Sequence, residues 1–476
     1  MGYGYLALAV KSEHDKYLVG NPEFTYFKAV YKRHTNFAID YTEVLFAHST
    51  ENCLGKKIYM NVPKGADLLH RSYLCVDINI SGSERLEFGN LNGWHASGFA
   101  QTAADKGNYA PLAYNLIEFI DLYIGDQLID RHYGEWLHIW HELFENSEKN
   151  LALANMIQVN NEAGGKRTLT IPLRFWFNNN VGLALPLVSM QYANVKLEIK
   201  FNKKSEVERL SDKQTVASPI SVSNVRLLLE NIYLDQEERR LFTSNKHEYL
   251  ITQVQSSIHN IINDVAGKWD SSNFTKLRHE VDLRFRYPVK ELFWSIQDRE
   301  GKAIPRYHTD LSGDFKNTGC FKYNYWNNFR IGQDQMSYCT LVLNNKNLMD
   351  ELPAPFYRNT QQYQYHNSYG IEHVDLIKQK EGNPALNYQD YSRGSGIYSY
   401  SFAIYPGQHQ PSGSLNFSKL QNAKLKFGLN KGKNWDFAGS VTSEDAQNKN
   451  KVVNIYALNY NILRITGGLG ALAFTN

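Results

Sequence analysis

The sequence contains no apolar run that could cross a bilayer, and it carries little net charge. Residues 2–10 are apolar but lack a basic start, and residues 465–474 are roughly half as long as a membrane-spanning helix. The formal net charge is only +3, and neither end has a tail rich in lysine or arginine. We therefore expect no signal peptide, no membrane span and no direct binding of nucleic acid, and a protein made and kept in the cytoplasm.

Cysteine is scarce and widely spaced. The chain has 4 cysteines, Cys53, Cys75, Cys320 and Cys339, and no C-x-x-C pair, so it encodes neither a zinc ribbon nor a thioredoxin-like motif. Free buried thiols in a reducing compartment are the expectation, although the spacing leaves a disulfide between two of them open.

The chain also lacks the motifs of metal, phosphate and nucleophilic chemistry. The cluster of His132, His138, His141 and Glu142 is the best metal candidate, but the zinc-protease motif would need a histidine where Glu145 stands. A packed amphipathic helix is the favoured interpretation of that cluster. Residues 467–470 are glycine-rich without the lysine and hydroxyl pair of a phosphate loop, and no serine has a nucleophile-elbow context. We expect no catalytic, cofactor-binding or metal-binding residues, and we expect that the protein is not an enzyme.

Length and aromatic content are what the sequence does have. Its 476 residues exceed the ~250–300 that one hydrophobic core supports, so two domains are expected. The 31 Tyr, 24 Phe and 8 Trp favour strands, where large rings pack against cross-strand neighbours.

Apolar and polar residues alternate over many short segments, the pattern of half-buried strands. In the first half, the predicted strands are 37–41, 74–80, 116–124, 127–130, 168–176, 193–201 and 225–234, with Gly125-Asp126 as a hairpin turn. In the second half they are 248–255, 281–287, 289–297, 339–344, 399–405, 423–429 and 452–464. Many short strands with few helices predict a sandwich or a barrel.

Two helices and several long loops complete the prediction. Residues 134–156 have a helically spaced apolar face containing Trp136, Ile139, Trp140, Leu143 and Leu151. A shorter arm helix over 21–34 would place Phe24, Phe27 and Val30 together. The predicted loops are 203–222, 298–332, 361–396 and 430–450, and the charged segment 235–240 marks the domain boundary.

An internal repeat relates the two halves. Residues 174–177 and 193–199 match 401–404 and 421–427 in pattern, with offsets of 402 − 175 = 227 and 422 − 194 = 228. We also pair Ile117–Ile124 with Val289–Ile296, at a different offset. Two similar units in one chain, repeated three times about an axis, would make a six-sided object.

Five stretches resemble the major capsid proteins of nucleocytoplasmic large DNA viruses. They are YLVGNPEFTYFKAVYKRHTNFA at 17–38, IGDQLID at 124–130 with GEW at 134–136, YLDQEERRLF at 233–242 with HEYLI at 247–251, SGSLNFS at 412–418 and YALNYNILRI at 456–465. Val19 stands where the family usually has threonine, and 361–366 match only loosely.

The resemblance implies an all-β fold of two tandem eight-stranded jelly-roll β-sandwiches (a double jelly roll), with long loops and a short helix or two. It divides the chain into an arm at 1–35, a first jelly roll at 36–235 and a second at 236–476. It implies a structural protein of the virion, assembled in the host cytoplasm. Its partners would be two further copies in a homotrimer forming a pseudo-hexagonal capsomer, neighbouring capsomers, minor capsid and penton proteins, and an internal viral membrane at the base.

Alternatives from other classes stay open. A jelly roll with exposed aromatic residues also suits carbohydrate binding, and a minor capsid or scaffold protein would share the fold. A jelly-roll enzyme of the cupin type would need convergent histidines on strands, and the predicted strands hold almost none.

Overall fold

The structure is a computed structural model that describes residues 4–10, 12–47, 49, 51–80, 112–157, 165–203, 220–261, 277–298, 307–309, 315–317, 326–328, 333–366, 396–429 and 451–475. Backbone contacts divide the chain into two units, Met1–Phe37 and Ala38–Asn476. Within the described ranges, no helix is both long and apolar enough for a membrane span.

The first unit holds two short helices, Gly4–Ala9 and Lys16–Val19. The helix predicted over 21–34 is wrong, because the backbone there is irregular and Asn21 has a φ of 51°. Short amphipathic segments form stable helices only when packing stabilises them, and Phe27 is 99% exposed.

Ala38–Asn476 holds two sandwiches. The first is built from β1 to β8, which are Phe37–Leu45, Lys57–Asn61, Leu68–Ile80, Ile117–Ile124, Gln127–Tyr133, Gly165–Pro172, Val195–Phe201 and Ile220–Leu234. Among the described residues these form two four-stranded sheets, ordered β1-β8-β3-β6 and β2-β7-β4-β5. Alternation explains the core: along β7, Val195, Leu197, Ile199 and Phe201 are buried and the residues between them are half-buried.

The second sandwich uses the same order. Its strands are β9 His247–Ile261, β10 Leu277–Asp282, β11 Pro288–Asp298, β16 Met336–Leu343, β17 Lys346–Asn347, β19 Tyr398–Ser401, β21 Ala423–Leu429 and β22 Lys451–Thr466. They pair as β9-β22-β11-β19 and β10-β21-β16-β17, with β18 Leu352–Pro353, β20 Leu415–Asn416 and β23 Leu469–Leu472 added at the margins. Four short strands form two further pairs outside these sheets: β12 Tyr307–Thr309 pairs with β13 Phe315–Asn317, and β14 Trp326–Asn328 pairs with β15 Gln333–Asp334.

The repeat is confirmed in one part and wrong in another. β7 and β21 occupy the same place in the two sandwiches and start 423 − 195 = 228 residues apart, as predicted. However, β11 is not the counterpart of β4. The strand in the position of β4 is β16, whereas β11 corresponds to β3. Apolar strands resemble one another by pattern, so pattern alone could not assign the pairing.

Short helices join the strands. Besides the arm helices they are Leu112–Leu116, Gly134–Phe144, Asn150–Ile157, Trp176–Asn179, Gln236–Ser244 and Gln361–Tyr365, with a π-turn at Phe356–Thr360 and 3-10 turns at Ser147–Lys149, Val181–Leu183, Leu187–Ser189 and Phe417–Lys419. The single helix predicted over 134–156 is therefore wrong. It breaks after Phe144, where the Asn146 side chain accepts a hydrogen bond from the Glu148 backbone, a local bond that competes with the helix.

Several predicted boundaries also differ. The strand expected to reach Trp176 ends at Pro172, the one expected to reach Tyr287 ends at Asp282, and the one expected to reach Tyr405 ends at Ser401. The charged segment 235–240 enters a helix, with Asp235 as its N-cap. Most of the predicted loops at 203–222, 298–332, 361–396 and 430–450 lies outside the described residues, but the start of the third is wrong as a loop, because Gln361–Tyr365 is helical.

Candidate functional site

The Gly134–Phe144 helix, here called the bridging helix, leaves the first sandwich after β5 and packs on the second. Its buried Trp136, Ile139 and Leu143 form one cluster with side chains of the second sandwich, namely Val254, Phe293, Ile397, Tyr456 and Leu458. The centroids of the Trp136 and Phe293 rings lie 5.5 Å apart, and the rings meet edge to face. The bridging helix therefore covers part of the second sandwich's outer face, meaning the side of sheet β9-β22-β11-β19 away from its own core.

A buried carboxylate stands beside that apolar cluster. Glu135, which is 5% exposed, accepts hydrogen bonds from four side chains of β11 and β22. The donors are Ser295 Oγ at 2.5 Å, Gln297 Nε2 at 2.8 Å, Asn454 Nδ2 at 2.7 Å and Tyr456 OH at 3.0 Å. Because these bonds are directional, they set where the bridging helix sits on the sheet.

The chain's last strands make a second joint. Leu463 and Ile465 of β22, with Ile251 of β9, lie in the core of the first sandwich. At the β22–β23 turn, Gly467 and Gly468 have φ angles of 61° and 82°. The Gly468 carbonyl accepts hydrogen bonds from the backbone N–H groups of Tyr192, at 3.0 Å, and Ala193. The glycine-rich stretch is therefore a tight turn packed on the first sandwich.

The Gln236–Ser244 helix, here called the junction helix, is bound to the first sandwich by polar contacts along its length. Buried Asp67 binds Arg239 of the helix at 2.9 Å and accepts the Leu234 backbone N–H at 2.9 Å. Ser189 Oγ donates to the Phe242 carbonyl at 2.7 Å. The sequence predicts this segment as the domain boundary. In the structure the segment is a helix held against the first sandwich by an ion pair and hydrogen bonds.

The metal candidate of His132, His138, His141 and Glu142, for which a packed helix is the favoured interpretation, does not converge. His132 Nε2 lies 2.9 Å from Asp130 and its ring stacks on Phe175, whereas His138 is fully buried and His141 lies beside Arg174 and Tyr114. Burial lowers the pKa of His138 to about 3, and burial with the nearby Arg174 lowers that of His141 to about 4. In the described part of the chain, no three His, Cys, Asp or Glu residues stand together as metal ligands.

Cys53, Cys75 and Cys339 are free and buried, as expected for thiols that pack in cores, while Cys320 lies outside the described residues. Burial raises the pKa of all three thiols. All three side chains are buried and pack as small apolar groups.

Sequence reasoning missed Glu135 and the buried pair of His366 and Glu291, whose Nε2 and Oε1 lie 2.7 Å apart. A carboxylate at the start of an apolar helix face was the available signal for Glu135, since charged residues rarely enter a core without partners. The pair of His366 and Glu291 had no local signal, because its members are 75 residues apart.

The comparisons with known proteins match almost the whole chain. A family model described as the major capsid protein N-terminus matches residues 25–235, and one described as the large eukaryotic DNA virus major capsid protein matches 238–372 and 383–471. The major capsid protein of Pyramimonas orientalis virus is 30% identical over 100% of both chains, and that of Paramecium bursaria Chlorella virus 1 is 28% identical over 100% of both.

Solved structures agree on the fold. A quasi-atomic model of the PBCV-1 virus capsid has a chain that is 26% identical, with a TM-score of 0.72, over 95% of this chain and 100% of that one. The Faustovirus major capsid protein shares the fold at 11% identity, with a TM-score of 0.60, over 96% of this chain and 94% of that one. The expected double jelly roll is confirmed.

Proposed function

The chain belongs to the large eukaryotic DNA virus major capsid proteins, and from this we propose that it builds an icosahedral shell as a homotrimeric, pseudo-hexagonal capsomer. It is a structural protein of the capsid and not an enzyme.

One observation carries the proposal: the two sandwiches repeat the same strand order in one chain. Two like units from each of three copies give six like units about a three-fold axis, which tile a surface as a hexagon does. The bridging helix and the Glu135 hydrogen bonds join the two sandwiches to each other, and regular tiling needs sandwiches held in a fixed relation.

We propose that the chain is divided into an arm at 1–35 and jelly rolls at 36–235 and 236–476. The two family models, which meet between residues 235 and 238, support this division. So does the junction helix, which starts at Gln236.

The arm is proposed to face other capsid components and an internal viral membrane. Its large apolar side chains are exposed, Tyr17 at 91% and Phe27 at 99%, and exposed apolar surface of this kind marks contact sites. Minor capsid and penton proteins are the proposed protein partners, and host cytoplasm the proposed place of assembly.

Native mass measurement of the purified protein tests the trimer. We expect a species of three times the chain mass, and six-sided particles in electron micrographs. A stable monomer would overturn the proposal. Strong binding on a glycan array by such a monomer would support carbohydrate binding instead, and a low copy number in virions would support a minor capsid or scaffold role.

A further inference from the structure

The internal repeat gives each sandwich an outer face with matched positions. In the second sandwich, Phe293 of β11 pairs with Tyr456 of β22, and in the first, Tyr73 of β3 pairs with Leu228 of β8. The offset 293 − 73 = 220 equals that between the strand starts, 288 − 68 = 220. All four side chains point away from the cores of their sandwiches, since their neighbours Leu292, Ala457, Leu74 and Leu227 are core residues.

The two faces differ in what covers them. Phe293 and Tyr456 are 0% and 2% exposed, because the bridging helix lies on them. Tyr73 and Leu228 are only half-buried. Beside them on β1, Ile39 is 50% and Tyr41 51% exposed. We call these four residues the open face of the first sandwich.

The polar end of this face is already paired within the sandwich. Arg226 Nη1 lies 3.0 Å from Asp77, which also accepts a hydrogen bond from Thr168 Oγ1 at 2.7 Å. The equivalent positions in the second sandwich include Ser295, Gln297 and Asn454, the donors that bind Glu135 of the bridging helix. Tyr41 OH likewise donates to the buried Glu230 carboxylate at 2.7 Å, so the charged groups beside the open face already have partners and an apolar cover without a carboxylate would suit it.

The second sandwich has a counterpart of the bridging helix. The bridging helix lies between β5 and β6, and residues 356–365 lie between the corresponding strands β17 and β19. Their inner side is tied to their own sandwich, since Tyr357 OH donates to the Cys339 carbonyl at 2.8 Å and Gln362 Nε2 to the Ile397 carbonyl at 2.8 Å. On the other side, Tyr363 is 78% exposed. We call these residues the counterpart segment.

We infer that the counterpart segment of one copy covers the open face of the first sandwich in the next copy. The occupant is a second copy of this chain, and the inference rests on the proposed trimer. In a closed ring of six like sandwiches, each sandwich then covers the face of the one that follows it. Three of these contacts are made within chains by the bridging helix, and three between chains by the counterpart segment.

Paired cysteines test this contact directly. The variant carrying Ile39→Cys and Tyr363→Cys is treated with a short bis-maleimide. This reagent is chosen because a disulfide requires the two Cα atoms to lie within about 7 Å, whereas a bis-maleimide spans a longer gap. All variants also carry Cys320→Ser, and Cys53, Cys75 and Cys339 are buried. Covalent dimers and trimers are expected on a denaturing gel. The matched control pairs Ile39→Cys with Leu348→Cys, a 45% exposed position directly after β17 of the same second sandwich, and should stay monomeric.

A second measurement does not depend on cross-linker reach. Ile39→Asp and Tyr363→Asp change exposed side chains, so the monomer should fold, and each should raise the trimer dissociation constant at least tenfold. Ile404→Asp, at a 64% exposed position, should leave it unchanged. Suppose that the wild type forms a trimer while the variant with cysteines at 39 and 363 does not cross-link and the aspartate variants do not weaken the trimer. That result overturns this inference but leaves the proposed function standing. Covalent dimers from a variant pairing Ile39→Cys with Phe27→Cys, with none from the pair at 39 and 363, would also overturn the inference, in favour of the arm of another copy. A wild-type monomer overturns the proposed function itself.

Discussion

Asn454 Nδ2 donates a 2.7 Å hydrogen bond to Glu135 Oε2, joining residues 319 positions apart in the sequence and located in different sandwiches. Both residues are buried, at 9% and 5% exposure. Three further donors converge on the same carboxylate, so this point fixes how one sandwich is oriented on the other.

Removing that carboxylate should destabilise the whole chain. Glu135→Ala leaves the buried donors Ser295, Asn454 and Tyr456 and the half-buried Gln297 without their acceptor, and we expect a loss of about 3–5 kcal/mol in the free energy of unfolding. Urea denaturation followed by tryptophan fluorescence measures it. The matched control is Glu248→Ala, which removes the exposed ion pair with Arg464 and should cost at most about 1 kcal/mol. Similar losses in both variants would contradict the role given to Glu135.

Trp136→Ala should uncouple the sandwiches. The side chain is fully buried between them, and its removal should cost about 3–5 kcal/mol. Because the loss falls on the joint and not on either core, calorimetry should show one broadened or two separate transitions where the wild type shows one. Leu241→Ala, at a 59% exposed site, serves as the control. A single sharp transition at an unchanged temperature in Trp136→Ala would refute the coupling.

Acid should weaken the fold through His138 and His141. Their pKa values in the folded chain, about 3 and about 4, lie below the ~6.5 of an unfolded histidine. Between these values the unfolded chain binds more protons, so stability falls as the pH drops from about 6.5 towards 4. Each pKa unit is worth about 1.4 kcal/mol, and a loss of several kcal/mol is expected.

Denaturant titrations at a series of pH values measure this slope. His138→Leu puts an apolar side chain of similar size at the buried site and removes the titrating group. This variant should therefore show a smaller change of stability with pH. His34→Gln, at an exposed position, should leave it as in the wild type. An unchanged slope in His138→Leu would show that other groups cause the acid sensitivity.

The two glycines of the β22–β23 turn should differ in their tolerance of a side chain. A Cβ on Gly467 meets no atom within 4 Å, so Gly467→Ala costs only the left-handed backbone, about 1 kcal/mol. A Cβ on Gly468 would lie within 3 Å of the Tyr192 ring, so Gly468→Ala should lose more. Thermal melting compares the two variants, and equal melting temperatures would contradict the packing of this turn on the first sandwich.

The strand content and several boundaries followed from the sequence because their signals are local. The hairpin of β4 and β5 was predicted from Gly125-Asp126, and the turn has Gly125 at a φ of 62°. The alternation in 193–201 predicted which side chains of β7 enter the core. The break after Phe144 was missed because a side-chain hydrogen bond in the next residues competes with a helix whose apolar spacing continues.

The sequence by itself determined that this chain is all-β, that it contains two related units and that it resembles a capsid family, because alternation, turn residues and motifs are all carried by neighbouring residues. Only the tertiary structure decided that β11 corresponds to β3, that the bridging helix covers the second sandwich and that Glu135 holds the joint. These relationships join segments hundreds of residues apart. Apolar burial, which has no direction of its own, does not specify such partners, and only the folded backbone brings them together.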